Sequence, residues 1–401
     1  MIVKTVRMIF SMSVCAIFIF ACNRSSTTIS GTGGLVEIDV SKRYPEKVLY
    51  LQDIAKVEYI PLETNINTLM RSSARIVHVS DNYIIASNMS DGDVFVFDGK
   101  GKSKFSFNNK GGSGIEYNFL TSIAFDEQAR EIFIFSGASA HPKIIVYSED
   151  GQFKRSFELP RNFRPQIYNF DDATLLAYDD FGVLQNRGYS ETPYTFISKE
   201  DGAIIDTLNV HLPIRISNRS VMEVEVDGRA GQVPITLYMP NNRSYGKNFL
   251  IADMSSDTIY RLTPQRELQP VIVRIPPLHK LQNPNIKTLL TNDLVTDRYI
   301  FLIKAVMDFE SAKRTRTFPI MGLMYDFQTG ELNEWQLINR DTESSVSFFD
   351  DAIACENTGI YKLDVARLFE NDEAGKIKGE LKELLNSLDE EDNPILVKIK
   401  F

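Results

Sequence analysis

The chain has 401 residues, 43% of them hydrophobic, and a formal net charge of -9 at pH 7. This length fits two ordinary domains or one large β structure, and the hydrophobic fraction is enough for a sizeable core. An acidic chain without clustered Lys and Arg is a poor match for a nucleic-acid groove, so we expect no nucleic-acid partner.

The first predicted element is a leader sequence. Lys4 and Arg7 precede an apolar run, Met8 to Ala21, which is shorter than the roughly 20 residues that span a bilayer. The run ends in Ile19-Phe20-Ala21-Cys22, which resembles the lipobox of bacterial lipoproteins. That resemblance implies a signal peptide at 1–21 and a lipidated Cys22 that anchors the protein to a membrane. An ordinary secretory signal and a lone N-terminal anchor helix are the alternatives.

A flexible tether is predicted next, because residues 22–34 are small, polar and Gly-rich after Cys22. Cleavage would remove Cys15, and lipidation would occupy the thiol of Cys22 and leave Cys355 alone, so no intramolecular disulfide is expected. Cys355 lies in an apolar strand pattern, and we interpret it as a buried small hydrophobe.

A repeated phrase dominates the rest of the chain. Residues 94–107 read VFVFDGKGKSKFSF and residues 144–157 read IIVYSEDGQFKRSF. Each copy is an apolar strand, a polar turn with Gly and a second strand, which is typical of a β-hairpin. A shorter apolar strand precedes each hairpin, and the pair recurs six times. Corresponding positions are Val96, Val146, Ile197, Tyr260, Met324 and Tyr361.

Six such units predict an all-β fold, a six-bladed β-propeller of four-stranded antiparallel blades over residues 35–401. Blades stacked in a ring bury apolar faces that no blade can bury alone, and ring closure protects the strand edges. The expected blades are residues 70–110, 119–160, 164–212, 213–275, 285–337 and 344–401, the last completed by an N-terminal strand.

Two segments depart from the repeat. In blade 4 the stretch Val221 to Tyr245 is interpreted as an inserted hairpin. In the last unit a Leu-, Glu- and Lys-rich segment, Asp364 to Leu388, predicts an amphipathic helix with a break near Gly375. The C-terminal strand ILVKIKF, or the N-terminal strand Leu35 to Val40, is expected to close the ring. The alternative is an αβ tail outside the ring.

Three further stretches carry a family resemblance: DIAKVEYIPLET at 53–64, NKGGSGIEYNF at 109–119, and the ending DNPILVKIKF. With the blade phrases, they resemble a family of six-bladed β-propeller lipoproteins of Bacteroidota, over Leu35 to Phe401. These are scaffold motifs, and the members mostly lack an assigned activity. The resemblance therefore implies a fold and brings no catalytic residue. NKGGSGIEY is not a phosphate loop, because another strand follows the glycines instead of a Lys and a helix.

Long loops supply the predicted ligand-binding residues. Propeller ligands usually bind at a channel mouth, where interblade loops meet the loops between second and third strands. The candidates are His141, Asp179, Asp180, Arg187, Tyr189, Tyr194, Lys313, Arg314 and Arg316. Aromatic planes beside carboxylate and guanidinium groups suit a sugar or peptide, and the basic run at 313–316 suits a carboxylate.

Catalysis has weaker support in the sequence. None of the four His is spaced as HxH or HxxxH, so we expect no zinc motif and no cofactor. His141 and His279 could meet over one mouth and act with Asp179 or Asp180 and a metal in a lyase or hydrolase. We favour a non-catalytic module that binds a glycan, peptide or envelope protein. The enzyme is the alternative, and a structural subunit of an envelope complex is a third interpretation.

The expected location is the cell envelope, with a lipid anchor in the outer membrane facing the periplasm. Residues 23–26 carry no acidic cluster. In Bacteroidota lipoproteins such a cluster resembles a surface-export signal, so its absence favours the periplasmic side.

Overall fold

The structure is a computed structural model. It describes residues 35–137, 141–161, 163–179, 193–212, 215–226, 229–239, 242–245, 248–281, 283, 285–346, 348, 353–354 and 356–401. The predicted signal peptide (1–21), the tether with Cys22 (22–34), Cys355, Asp180, Arg187 and Tyr189 lie outside these residues.

Six β-sheets form the predicted six-bladed propeller. Blades 1 to 3 each have four antiparallel strands in sequence order, numbered here from the channel outward. Their strands are Arg75–Val79, Tyr83–Asn88, Asp93–Asp98 and Ser103–Phe107; Ser122–Asp126, Glu131–Ser136, Lys143–Ser148 and Phe153–Glu158; and Gln166–Asn169, Thr174–Tyr178, Tyr194–Ser198 and Ile204–Leu208. The repeated phrases are hairpins, with Gly101 and Gly151 at φ 83° and 81° in their turns.

Blades 4 and 5 gain an extra outer strand from the N-terminal region. Their own strands are Asn242–Tyr245, Asn248–Ile251, Thr258–Leu262 and Leu268–Ile275; and Ile286–Val295, Tyr299–Asp308, Ile320–Asp326 and Leu332–Asn339, with Ser344–Ser345 at the end of blade 5. Val36–Asp39 runs parallel to the outer strand of blade 4, and Glu46–Tyr50 runs parallel to that of blade 5. The expectation that Leu35 to Val40 completes the last blade is therefore wrong.

Blade 6 joins distant parts of the chain. Its three strands are Thr358–Leu363, Ile395–Lys400 and Lys56–Pro61, and the C-terminal strand lies in the middle, antiparallel to both neighbours. The prediction that this strand closes the ring is confirmed. Tyr361 lies on an edge strand of this sheet and pairs with Val397 of the C-terminal strand, so it is not on the third strand of a local hairpin. Ile353–Ala354 pairs with the first strand of blade 1.

The helices are short. They are Leu51–Ile54, Phe309–Thr315, Val365–Glu373 and Gly379–Leu385, with a 3-10 turn at Leu278–Lys280. The last two helices lie on either side of Gly375, where a break in the helix was predicted. Leu368 and Leu381 of these helices pack against Ile395 of blade 6. No helix in the described part of the chain is long and apolar enough to cross a membrane.

The core lies between blades. Val94 and Val96 of blade 1 pack with Ile132 and Ile134 of blade 2, all of them buried, and similar clusters join the following blades. Burying each such side chain contributes about 1.5–3 kcal/mol. The hydrophobic seams therefore hold the ring rigid and fix the loops at its two faces.

The two faces of the ring differ. The turn face carries the short turns that join strands 1 to 2 and strands 3 to 4 of a blade. The loop face carries the loops between strands 2 and 3 and the connections between blades. The inserted hairpin, Arg219–Val226 and Arg229–Thr236, belongs to the loop face, forms its own two-stranded sheet and contacts the helix Phe309–Thr315. Arg243 lies on the first strand of blade 4, outside this hairpin.

Candidate functional site

The predicted ligand-binding residues of blades 2 and 5 lie on the loop face. His141 is exposed, with Nδ1 3.8 Å from Glu158 Oε2. Lys313 and Arg314 belong to the helix Phe309–Thr315, and Lys313 pairs with Glu310 at 2.8 Å. Arg316 ends this helix in the left-handed region, and its Nη1 donates to Met222 Sδ at 2.7 Å. The basic run is thus an ordered helix end and not an open loop.

Asp179 and Tyr194 are both buried in blade 3. Tyr194 is 0% exposed, and its hydroxyl donates to Asn242 Oδ1 at 3.0 Å. Burial, followed by the nearby Asp253 carboxylate, holds the pKa of Tyr194 well above its ordinary value. Tyr178 stacks on Tyr194 with ring centroids 4.7 Å apart and donates to Asp253 Oδ2 at 2.9 Å. This network joins blades 3 and 4.

The predicted meeting of His141 and His279 forms no recognisable metal centre. His279 is exposed in the connection between blades 4 and 5, whereas His141 belongs to blade 2. Within the described ranges, no group of three or more His, Cys, Asp or Glu side chains is arranged to hold a metal ion.

A groove opens on the turn face between blades 1 and 2. This turn-face groove has a volume of about 660 Å³. Charged and amide side chains form most of its lining, with one aromatic residue and one glycine. The lining residues are Asp81, Asn82, Tyr83, Asp98, Gly99, Lys100, Lys104, Glu127, Gln128 and Arg130.

The first wall of the groove is the turn of the repeated phrase. Asp98 Oδ1 accepts from the backbone N–H groups of Lys100 and Lys102 at 2.8 and 2.9 Å, which fixes the turn. Gly99 packs directly on the preceding turn, because a Cβ there would lie 1.9 Å from the carbonyl oxygen of Asp81. Only glycine allows these two turns to meet at this distance.

Glu127 of blade 2 joins the two blades that form the groove. Its Oε1 accepts from Asn82 Nδ2 at 2.9 Å, and its Oε2 lies 3.1 Å from His78 Nε2. The hydrogen bond with His78 lowers the pKa of Glu127 to about 2, against the opposing effect of burial. The carboxylate therefore stays ionised and holds the turns of both blades in place.

The cationic side of the groove is Lys104 with Arg130. Lys104 Nζ lies 4.1 Å from the centre of the Tyr83 ring, a cation–π contact. The same nitrogen is 3.5 Å from Glu149 Oε2, and Arg130 Nη1 is 3.7 Å from Glu149 Oε1. Both cations thus share one carboxylate beside the groove.

The C-terminal strand supports the opposite side. Lys398 Nζ donates to Asp81 Oδ1 at 2.8 Å and Lys400 Nζ to the same oxygen at 3.2 Å. These bonds, that of Lys398 first, hold the pKa of Asp81 below its ordinary value. Closure of the ring and the geometry of the groove are therefore linked.

The sequence-based prediction missed this groove because it considered only long loops as ligand-binding sites. The groove is built from short turns, SDN at 80–82, DGKGK at 98–102 and DEQAR at 126–130. A usable signal was present: polar turns recur at equivalent positions of consecutive blades, and stacked blades bring equivalent turns to the same face.

A small cavity of about 30 Å³ lies between blades 4, 5 and 6. Arg243 Nη2 donates to the Phe348 carbonyl oxygen at 2.8 Å and lies 3.8 Å from Asp293 Oδ1. Burial raises the pKa of Asp293 to about 6, although Arg243 opposes the change. This cavity has room for about one water molecule and is too small for an organic ligand.

Comparison with known proteins places the chain in a family. Residues 35–400 match the model of a family described as Domain of unknown function (DUF4934). A protein of Bacteroides fragilis described as exported has 18% identity and a TM-score of 0.60, with 89% of this chain and 99% of that one covered. This similarity shows a shared fold.

Two further solved structures are more distant. A duf4221 family member from Bacteroides vulgatus has 7% identity and a TM-score of 0.48, covering 86% of this chain and 96% of its own. Virginiamycin B lyase from Staphylococcus aureus has 12% identity and a TM-score of 0.39, covering 86% and 99%. Similarity at these levels carries no argument about this chain. No curated protein matches it.

Proposed function

The chain belongs to the DUF4934 family, and from that premise we propose that it is a lipid-anchored cell-envelope protein that binds a glycan in its turn-face groove. The family has no assigned activity and a propeller fold serves many functions, so the chemistry of the groove is what supports glycan binding.

The polar lining of the groove carries this proposal. Eight of its ten lining residues are charged or amide side chains. The cations can donate hydrogen bonds, and the amides of Asn82 and Gln128 can donate and accept them, which matches the hydroxyl groups of a sugar. A peptide ligand is less favoured, because among the lining residues only Tyr83 offers an apolar surface to a side chain.

The state of the carboxylates supports binding over hydrolysis. A glycosidase of the common type needs one protonated carboxylic acid as general acid. Glu127 and Asp81 both have lowered pKa values because cations or His78 hold their oxygens. Neither is suited to donate a proton near neutral pH.

The anchor follows from the residues before the propeller. Lys4, Arg7 and the Ile19 to Cys22 sequence support lipidation of Cys22. The sequence NRSS at residues 23–26, which has no acidic cluster, supports a position on the periplasmic side of the outer membrane. Metabolic labelling with an alkyne fatty acid tests this part. The label is expected on the wild-type protein and absent from Cys22→Ala, and equal labelling of both would contradict the proposal.

Binding is tested with the chain from Ser25 to Phe401, which contains the whole described propeller. We expect at least one class of oligosaccharide to raise its melting temperature, since a ligand that binds only the folded state stabilises it. The Asn82→Ala/Gln128→Ala variant should lose most of that shift, whereas the loop-face variant Arg314→Ala should keep it. A shift caused by peptides and by no glycan would overturn the proposal.

A further inference from the structure

We infer that the ligand of the turn-face groove is an acidic glycan, one whose uronic-acid carboxylates are bound by Lys100, Lys104 and Arg130. This inference rests on the proposed glycan binding and names the class of glycan.

A formal count of charges in the groove gives no preference. The lining has three carboxylates and three cations, namely Asp81, Asp98, Glu127, Lys100, Lys104 and Arg130. By this count alone, neutral and acidic glycans would be bound equally well. The hydrogen bonds that these groups already make within the protein distinguish the two cases.

Two of the carboxylates are occupied by groups of the protein. Asp81 accepts from Lys398 at 2.8 Å and from Lys400 at 3.2 Å. Glu127 is held by Asn82 at 2.9 Å and lies 3.1 Å from His78. Cations and donors of the protein therefore already satisfy these acids.

The third carboxylate, Asp98, is occupied by its own turn. One of its oxygens accepts two backbone N–H groups, from Lys100 at 2.8 Å and from Lys102 at 2.9 Å. These bonds define the turn, so a ligand that competed for this oxygen would disturb the groove itself. The acids of the lining thus serve mainly to build the groove.

The cations of the lining keep their donors available. Lys100 is exposed, and its ammonium has no partner among the described residues. Lys104 Nζ is 3.5 Å from Glu149 Oε2, an atom that accepts no hydrogen bond in the described part of the chain. Arg130 Nη1 lies 3.7 Å from Glu149 Oε1, beyond hydrogen-bonding distance. A ligand therefore meets three positive groups with donors to offer.

Lys104 is also positioned before a ligand arrives. Its ammonium lies 4.1 Å from the centre of the Tyr83 ring, and Tyr83 is fixed in turn by Phe125, with ring centroids 5.2 Å apart. A cation held in place loses less conformational freedom when it binds an anion. Hydrogen bonds between an ammonium or guanidinium and a carboxylate are stronger than those between neutral groups.

The test compares matched ligands that differ only in charge. A panel of uronic-acid trisaccharides, each with its carboxyl-reduced neutral partner, is titrated calorimetrically into the chain from Ser25 to Phe401. We expect an acidic member to bind about tenfold more tightly than its neutral partner at low salt, and the difference to shrink as salt screens the charges.

Variants locate the effect in the groove. The triple variant Lys100→Gln/Lys104→Gln/Arg130→Gln is expected to bind the acid no better than the neutral partner. The control is Lys313→Gln/Arg314→Gln/Arg316→Gln on the loop face, which removes the same charge and should keep the preference. Melting temperatures of both variants report whether they are folded.

The outcomes separate this inference from the function on which it rests. Equal binding of acidic and neutral partners, or a preference that survives the groove variant, overturns the inference and leaves glycan binding intact. Failure of every acidic and neutral glycan to bind overturns both.

Discussion

Lys398 Nζ and Asp81 Oδ1 lie 2.8 Å apart although the two residues are separated by 317 positions in the sequence. Lys398 belongs to the strand that closes the ring, and Asp81 belongs to the first turn of blade 1. The Lys398 side chain is 3% exposed, whereas that of Asp81 is 75% exposed. A buried cation is thus neutralised by a carboxylate at the edge of the groove.

The first prediction concerns this pair. Asp81→Asn should lower the free energy of unfolding by about 1 kcal/mol, because it removes the negative charge beside Lys398 and leaves that ammonium with neutral acceptors such as the Ser80 carbonyl oxygen, while solvent screens part of the loss. Urea denaturation measures the change. Lys400→Gln removes the more exposed partner of Asp81 and should have a smaller effect. Equal effects of the two variants would contradict this explanation.

The second prediction concerns Asp293. Its pKa is raised from 3.8 to about 6 by burial, so between these values the folded state binds more protons than the unfolded state. Its stabilising contribution is complete below pH 3.8 and is lost as the pH rises through about 6. Asp293→Asn mimics the protonated acid, so its free energy of unfolding should not fall with pH in this way. Relative to the wild type, the variant should become more stable between pH 4 and pH 7.5, by on the order of 3 kcal/mol.

Urea denaturation of wild type and Asp293→Asn at both pH values measures this gain. A stability difference between the two proteins that does not change with pH would show that Asp293 does not titrate in this range.

The third prediction concerns Glu131, whose pKa shift has the opposite sign. Arg155 donates to both of its oxygens, at 2.9 and 2.6 Å, and Lys154 lies 2.6 Å from one of them. These contacts, that of Arg155 first, lower the pKa of Glu131 to about 2. Its contribution is therefore present above pH 4.5 and is lost as the pH falls through about 2.

Glu131→Gln should accordingly cost about 2 kcal/mol at pH 7 and less at pH 3, where the wild type has lost part of the same contribution. Chemical denaturation at both values tests this. A cost that grows on acidification would be inconsistent with the assigned role of Arg155.

The fourth prediction concerns the turn of the repeated phrase. Gly99→Ala places a methyl group 1.9 Å from the Asp81 carbonyl oxygen and should cost about 1–3 kcal/mol while weakening glycan binding. Gly112→Ala and Gly114→Ala are matched controls, because a Cβ at either position has no atom within 4 Å. Thermal melts distinguish them, and a control as unstable as Gly99→Ala would refute the steric explanation.

The sequence predicted those parts of the fold that depend on local signals. Alternating apolar residues and turn glycines such as Gly101 and Gly151 mark hairpins, and counting hairpins gave the number of blades. It failed where pairing is distant: Tyr361 was assigned to a third strand, because its true partner, Val397, lies beyond two helices. The parallel position of Val36–Asp39 beside blade 4 has no local signal at all.

The candidate site was harder to predict for a related physical reason. Loop length can be read from a sequence, so residues at the ends of long loops, such as Tyr194 and Arg316, were predicted to bind a ligand. The distance between Glu127 and His78 depends on how two blades pack, and no single turn encodes it. Conversely, Tyr194 sits in a strand whose apolar pattern is consistent with the buried position that the structure gives it.

The mixed origin of blade 6 has a consequence for the order of folding. Hairpins of blades 1 to 5 join residues close in sequence, and such contacts form quickly. Blade 6 pairs Lys398 with Glu58, so its formation must close a loop that includes nearly the whole propeller. From this topology we expect docking of Ile395–Lys400 between its two neighbours to be slower than formation of the local hairpins.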